Sequence, residues 1–110
     1  MALNKKNRLK KKRDFEEVFK NGKTIKGVFL FIKFKKNDVS ATRFGFIVSV
    51  KVSRKAVERN KLRRIFSEIV QTALKDINGF DLIVFATNRT KDATREEIAK
   101  DLVGLLKNIK

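Results

Sequence analysis

The chain has 110 residues, with 28 Lys and Arg against 12 Asp and Glu, a formal charge of +16, and no Cys or His. Those two absences exclude disulfides, a thiolate nucleophile, a zinc site of the cysteine type and the commonest general base at neutral pH. The charge exceeds what solubility needs and opposes compaction through self-repulsion, so a polyanion is expected to neutralise it. Nucleic acid is the leading candidate and an anionic membrane surface the competitor. Met1, Ala2, Leu3 and Asn4 run straight into lysines without an apolar signal region. No stretch approaches roughly 18 apolar residues, so a cytoplasmic protein without a transmembrane helix is expected. A hydrophobic content of 42% can fill the core of one domain, residues 1–110, and no repeat, proline or linker divides it.

Residues 1–13 read as a basic N-terminal arm, carrying Lys5, Lys6, Arg8, Lys10, Lys11, Lys12 and Arg13. Such a run is solvated or disordered unless it has a partner. A short helix is predicted next, with Asp14 as N-cap, Glu17 three residues on, and Asn21-Gly22 as the stop. Phe15, Val18 and Phe19 form its apolar stripe. Residues 24–36 read as extended. Val28, Leu30, Ile32 and Phe34 point one way, while the alternate positions change from Phe29 and Phe31 to Lys33 and Lys35, so the second face turns basic. A turn at Asn37-Asp38 leads to a second strand over 43–51, and the two suggest an antiparallel hairpin or meander. Leu62, Ile65, Phe66, Ile69, Val70, Ala73 and Leu74 mark a long helix over 55–76, ended by Asn78-Gly79. Residues 80–86 are almost continuously apolar, as in a strand from the middle of a sheet. Thr94 and Glu97 make a capping box for a closing helix carrying Ile98, Leu102, Leu105, Leu106 and Ile109. The order α-β-β-β-α-β-α gives an α+β fold, a two-layer α/β sandwich.

The segment from Lys51 to Arg64 is the most informative. Lys55, Arg59 and Arg63 are spaced four apart and stack along one side of the long helix, with Asn60 and Arg64 as a parallel pair. Like charges at that spacing destabilise a helix by a few tenths of a kcal/mol each, and Glu58 alone cannot offset Lys51, Arg54, Lys55, Lys61 and their neighbours. Phosphates along that face would explain the pattern, since arginine forks grip phosphate oxygens in pairs. Most of the ten phenylalanines belong to the core. Phe15 and Phe19 are the better candidates for exposure, where aromatics beside cations stack unpaired bases. Gly22 to Gly27 is no phosphate loop, and the adjacent pairs Glu16-Glu17 and Glu96-Glu97 make no two-carboxylate site. No catalytic residue and no metal ligand is assigned.

Ala56 to Arg64, with Arg59, Asn60, Lys61, Arg63 and Arg64, resembles the Arg-Asn-Arg signature of the bacterial ribonuclease P protein. Arg8-Leu9-Lys10, followed by Asp14, Phe15, Val18, Phe19 and Gly22, is similar to that family's N-terminal motif, and residues 79–84 to its last strand. The resemblance covers nearly the whole chain. It implies that the long helix presents its cations to a catalytic RNA, joined by Arg8, Lys10, Lys11, Lys51, Arg54 and Lys55. It implies that a cleft between that helix and the sheet, with Phe15 and Phe19 nearby, holds the single-stranded 5′ leader of precursor tRNA. It further implies a left-handed β-α-β crossover, magnesium bound mainly by the RNA, and a subunit without catalysis of its own, with neither a membrane nor a small-molecule substrate as partner. Two positions depart from the family: Val50 stands before Lys51 where a lysine pair is common, and Ser67 before Glu68 where another arginine is common. A structural ribosomal protein or RNA chaperone would share the charge and the fold but not the Arg59-Asn60 signature with Asp14-Phe15. A protein-only nuclease would need converging carboxylates, which Asp81 alone does not supply.

Overall fold

The apolar run from Phe80 to Ala86 becomes the strand around which the fold is built. The computed structural model describes residues 3–109, so Met1, Ala2 and Lys110 lie outside the described residues. The elements are α1 (Lys12–Asn21), β1 (Lys23–Lys26), β2 (Leu30–Lys36), β3 (Arg43–Ile47), α2 (Ala56–Ala73), β4 (Phe80–Ala86) and α3 (Arg95–Leu106). Single turns of 3-10 helix occur at Lys5–Asn7, Leu74–Asp76 and Thr90–Asp92. The strands form one sheet in the order β1-β2-β4-β3. β1 pairs antiparallel with β2 and β2 with β4, whereas β3 and β4 run parallel. This is the expected α+β order of elements.

The expected hairpin between the 28–36 and 43–51 stretches does not form, because β4 lies between them. Leu82 and Val84 of β4 face one side and Ile83 the other, and all three are fully buried. A strand apolar on both faces gains most from the central place, and the parallel β3–β4 pair is then joined through α2. β3 ends at Ile47, short of the expected 43–51 stretch. The extended 24–36 stretch is itself a hairpin, turning where the Gly27 N–H donates to the Leu30 carbonyl at 2.8 Å. Asp101 of α3 holds that turn by accepting from the N–H groups of Val28 (3.0 Å) and Phe29 (2.9 Å).

Leu62, Phe66, Ile69 and Val70 of α2 and Ile98 and Leu102 of α3 pack on one face of the sheet against Leu30, Ile32, Phe44, Leu82 and Val84. α1 lies on the opposite face, with Val18 against Leu9 and Ile83. Asp14 is not its N-cap. The helix starts at Lys12, its N-cap position is Lys11 with no side-chain hydrogen bond, and the Asp14 carboxylate instead sits 3.4 Å from Arg43. A half-buried guanidinium draws the carboxylate more strongly than free amides at a helix end. The Thr94–Glu97 capping box does form, through bonds of 3.1 and 2.8 Å.

The basic arm finds a partner within the chain. Leu3 and Leu9 are buried, the Leu9 N–H donates to the Phe44 carbonyl at 2.9 Å, and Asn7 Nδ2 donates to the Thr42 carbonyl at 2.8 Å. The open edge of β3 offers unpaired backbone groups, and the arm satisfies some of them.

Candidate nucleic-acid interface

Strand register lays out the sheet face opposite α2 and α3 in three rows. Lys35, Asp81 and Arg43 form the first; Thr24, Lys33, Ile83 and Gly45 the second; Lys26, Phe31, Phe85 and Ile47 the third. α1 crosses the second row. Phe15 lies so close over Gly45 that a Cβ there would come within 2.6 Å of its ring, which fixes glycine at that position. The third row stays partly open. Phe31 and Phe85 stack with ring centroids 4.5 Å apart and planes within 4°. Phe19 meets Phe85 edge-on at 5.6 Å and is 43% exposed. Three partly open rings beside Lys26 and Lys33 provide faces on which unpaired bases can stack while nearby cations neutralise phosphates.

This arrangement corrects the site expected from the sequence in two ways. The space between α2 and the sheet is filled by Leu62, Phe66, Ile69 and Val70. Phe15 and Phe19 lie on the other face, and of the two only Phe19 is exposed. Phe15 is half-buried with Leu9, Val18 and Ile83. Replacing Phe15 with Ala should therefore lower stability by roughly 2–4 kcal/mol in a urea melt. Phe19→Ala should change it by about 1 kcal/mol at most. A wild-type melt for the Phe15 variant would return that ring to the exposed set. Phe31 and Phe85 were missed, although the alternation of Phe31 with Leu30 and Ile32 already placed it off the core face.

The predicted cations fall into two clusters. Arg8, Lys10 and Lys11 border a cleft of about 320 Å³ that also receives Lys5, Lys6 and Arg43. Arg8 is partly committed within the chain, its Nε donating to the Leu3 carbonyl at 3.0 Å. Around the start of α2, Lys51, Arg54 and Lys55 border a second cleft of about 730 Å³, which Lys91 joins from the turn before α3. Arg59 bends back, with Nη1 donating to the carbonyls of Ser53 and Arg54, both at 3.0 Å, and so pins the loop that presents Arg54. Arg63 donates to Asn60 Oδ1 at 2.6 Å, so Asn60 pairs with Arg63 rather than lining up with Arg64. Lys55, Lys61 and Arg64 are exposed. The hydrogen bond from the Ser53 hydroxyl is the chief reason that the Glu58 carboxyl titrates below its ordinary range, and the neighbouring Lys55, Lys61 and Lys91 act in the same direction.

Asp81 is engaged rather than free. Arg43 grips both its oxygens, at 2.8 and 2.7 Å, and Asn37 Nδ2 adds a third bond at 2.8 Å. This contact is the main cause that raises the Arg43 pKa. Among the described residues, no three acidic side chains converge in a way that could hold a metal ion. No helix among them is long and apolar enough to cross a membrane.

A family model described as Ribonuclease P matches residues 3–110. The chain is 38% identical over 96 residues to the ribonuclease P protein component of Vesicomyosocius okutanii, covering 87% of this chain and 84% of that one. It is 37% identical over 109 residues to the corresponding protein of Clostridioides difficile, covering 97% and 95%. Among solved structures, it is similar to the RNase P protein from Thermotoga maritima, with a TM-score of 0.85 at 32% identity, covering 94% of this chain and 97% of that one. The Staphylococcus aureus RNase P protein gives a TM-score of 0.84 at 31% identity, covering 92% and 93%.

Proposed function

The chain belongs to the ribonuclease P protein family, and from that premise we propose that it is the RNA-binding protein subunit of an endoribonuclease that matures the 5′ ends of tRNA. In this reading the cations of the arm and of α2 contact the catalytic RNA, and the open sheet face holds the single-stranded leader of precursor tRNA. The observation that carries the second assignment is the strip of Phe19, Phe85 and Phe31 beside Lys26 and Lys33, which combines base stacking with charge on one accessible face. The reading takes the subunit to be non-catalytic and cytoplasmic. It has no His or Cys, and Asp81 is consumed by Arg43 and Asn37. Magnesium would be held mainly by the RNA. A ribosomal or chaperone role shares the charge but does not account for a family match running from residue 3 to 110.

Reconstitution tests the assignment. The purified protein alone should cleave no precursor tRNA in magnesium buffer. Added to a bacterial ribonuclease P RNA, at a magnesium concentration where that RNA is slow, it should accelerate cleavage at the mature 5′ end. Robust cleavage by RNA-free protein, or no effect of the protein on the RNA, would overturn the assignment.

A further inference from the structure

α2 and the segment leading into α3 enclose a groove of about 560 Å³ that lies away from the aromatic strip. Its floor is apolar, formed by Leu62 and Ile65 of α2 together with Ala93 and Ile98. Its rims are cationic, with Lys61 and Arg64 on one side and Lys91 and Arg95 on the other. Both acids at the groove are engaged already. Glu58 accepts from the Ser53 hydroxyl, and Glu68 accepts from Arg95 Nη1 at 2.8 Å. Among the described residues, Lys61, Arg64 and Lys91 have no acidic partner within ion-pair distance.

An apolar floor between unpaired cations matches a nucleotide, which carries a flat base and a phosphate on one unit. The volume lies within the roughly 300–1,000 Å³ of small-ligand sites. An acidic peptide would satisfy the charge less completely. The rims are the sides of helical elements whose backbone groups are already bonded, so an extended peptide's amides would find no partners there.

We propose that this groove takes one unpaired nucleotide of the RNA subunit, its base on the Leu62, Ile65 and Ala93 floor and its phosphate between Lys61, Arg64 and Lys91. The proposal rests on the ribonuclease P reading above. It makes Lys91 and Ala93, from the segment between β4 and α3, part of the RNA interface.

The test is a fluorescence titration of full-length protein with a bacterial ribonuclease P RNA across a range of salt concentrations. Ala93→Trp fills the groove without touching a charge. It should weaken binding at least tenfold and lower the salt slope by about one unit, because the displaced nucleotide takes its phosphate with it. Lys91→Ala, at an exposed side chain, should lower the slope by about one unit. If Ala93→Trp does not fold, the smaller Ala93→Leu takes its place, because Lys91 also borders the second cleft and does not single out the groove. Wild-type affinity and slope in the variants overturn the groove assignment, and binding of a polyglutamate probe lost in the same variants would give the groove to an acidic protein segment instead. Failure of the wild-type protein to bind the RNA would overturn the underlying reading, so the two failures are distinct.

Discussion

Replacing Phe31 and Phe85 together by Leu should weaken binding of leader-bearing precursor tRNA by roughly 2–4 kcal/mol, given about 1–3 kcal/mol for each stacked base. Affinity for mature tRNA, which lacks the leader, should stay at the wild-type level. Leucine keeps much of the apolar volume on the sheet but removes the flat π-faces, so the fold should survive while stacking is lost. The two rings already lie parallel at 4.5 Å and Phe85 also meets Phe19 edge-on, so a base arriving on either ring meets a surface held in place before binding. That preorganisation lowers the entropy lost on association. Equilibrium binding of both tRNAs to the reconstituted enzyme, with a thermal melt of each variant, measures the effect. Equal losses for leader-bearing and mature tRNA would assign the rings to packing.

Asp81→Ala should be strongly destabilising although it removes no apolar packing. It strips Arg43 of a bidentate partner and Asn37 of an acceptor, on a strand that pairs on both edges. Arg43 is only 22% exposed and would keep Asp14 alone, at 3.4 Å. Leaving a largely buried guanidinium without its main partner costs roughly 2–4 kcal/mol, which for a chain of this size lowers the Tm by about 10–20 °C. Arg43→Ala should cost a similar amount, and the double variant should cost less than the two singles combined, because the surviving charge is no longer stranded. Additive losses in the melts would show the pair to be independent.

The sequence made the long helix, the capped closing helix and the apolar central strand legible, because each is governed by local periodicity or by a local capping motif. It misplaced what depends on distant partners. Nothing in residues 28–47 says that β4, more than thirty residues later, will enter between the two strands. That insertion is decided by the burial of Ile83 on one face together with Leu82 and Val84 on the other. A capping motif is local and points to Asp14, whereas the ion partner of Asp14, Arg43, lies 29 residues away. The basic positions of the site were legible as a class, but their roles were not. Arg59 staples a loop and Arg63 pairs with Asn60, and neither contact follows from a spacing of four. The aromatic strip was half visible. Phe19 stood on a short helix beside cations, while Phe31 and Phe85 read as core until register set them side by side.

In the proposed reading, the sheet face carrying Phe31 and Phe85 holds the tRNA leader. Site-directed photo-crosslinking addresses it most directly. A precursor tRNA with thiouridine in the leader is bound to the enzyme reconstituted with a bacterial ribonuclease P RNA, irradiated, and the attached peptide identified. Crosslinks should fall on α1, β2 and β4 around Phe19, Phe31 and Phe85, and be lost when the thiouridine is moved into the mature tRNA body. Crosslinks confined to α2 and the turn at Lys91, or none to the protein, would contradict it.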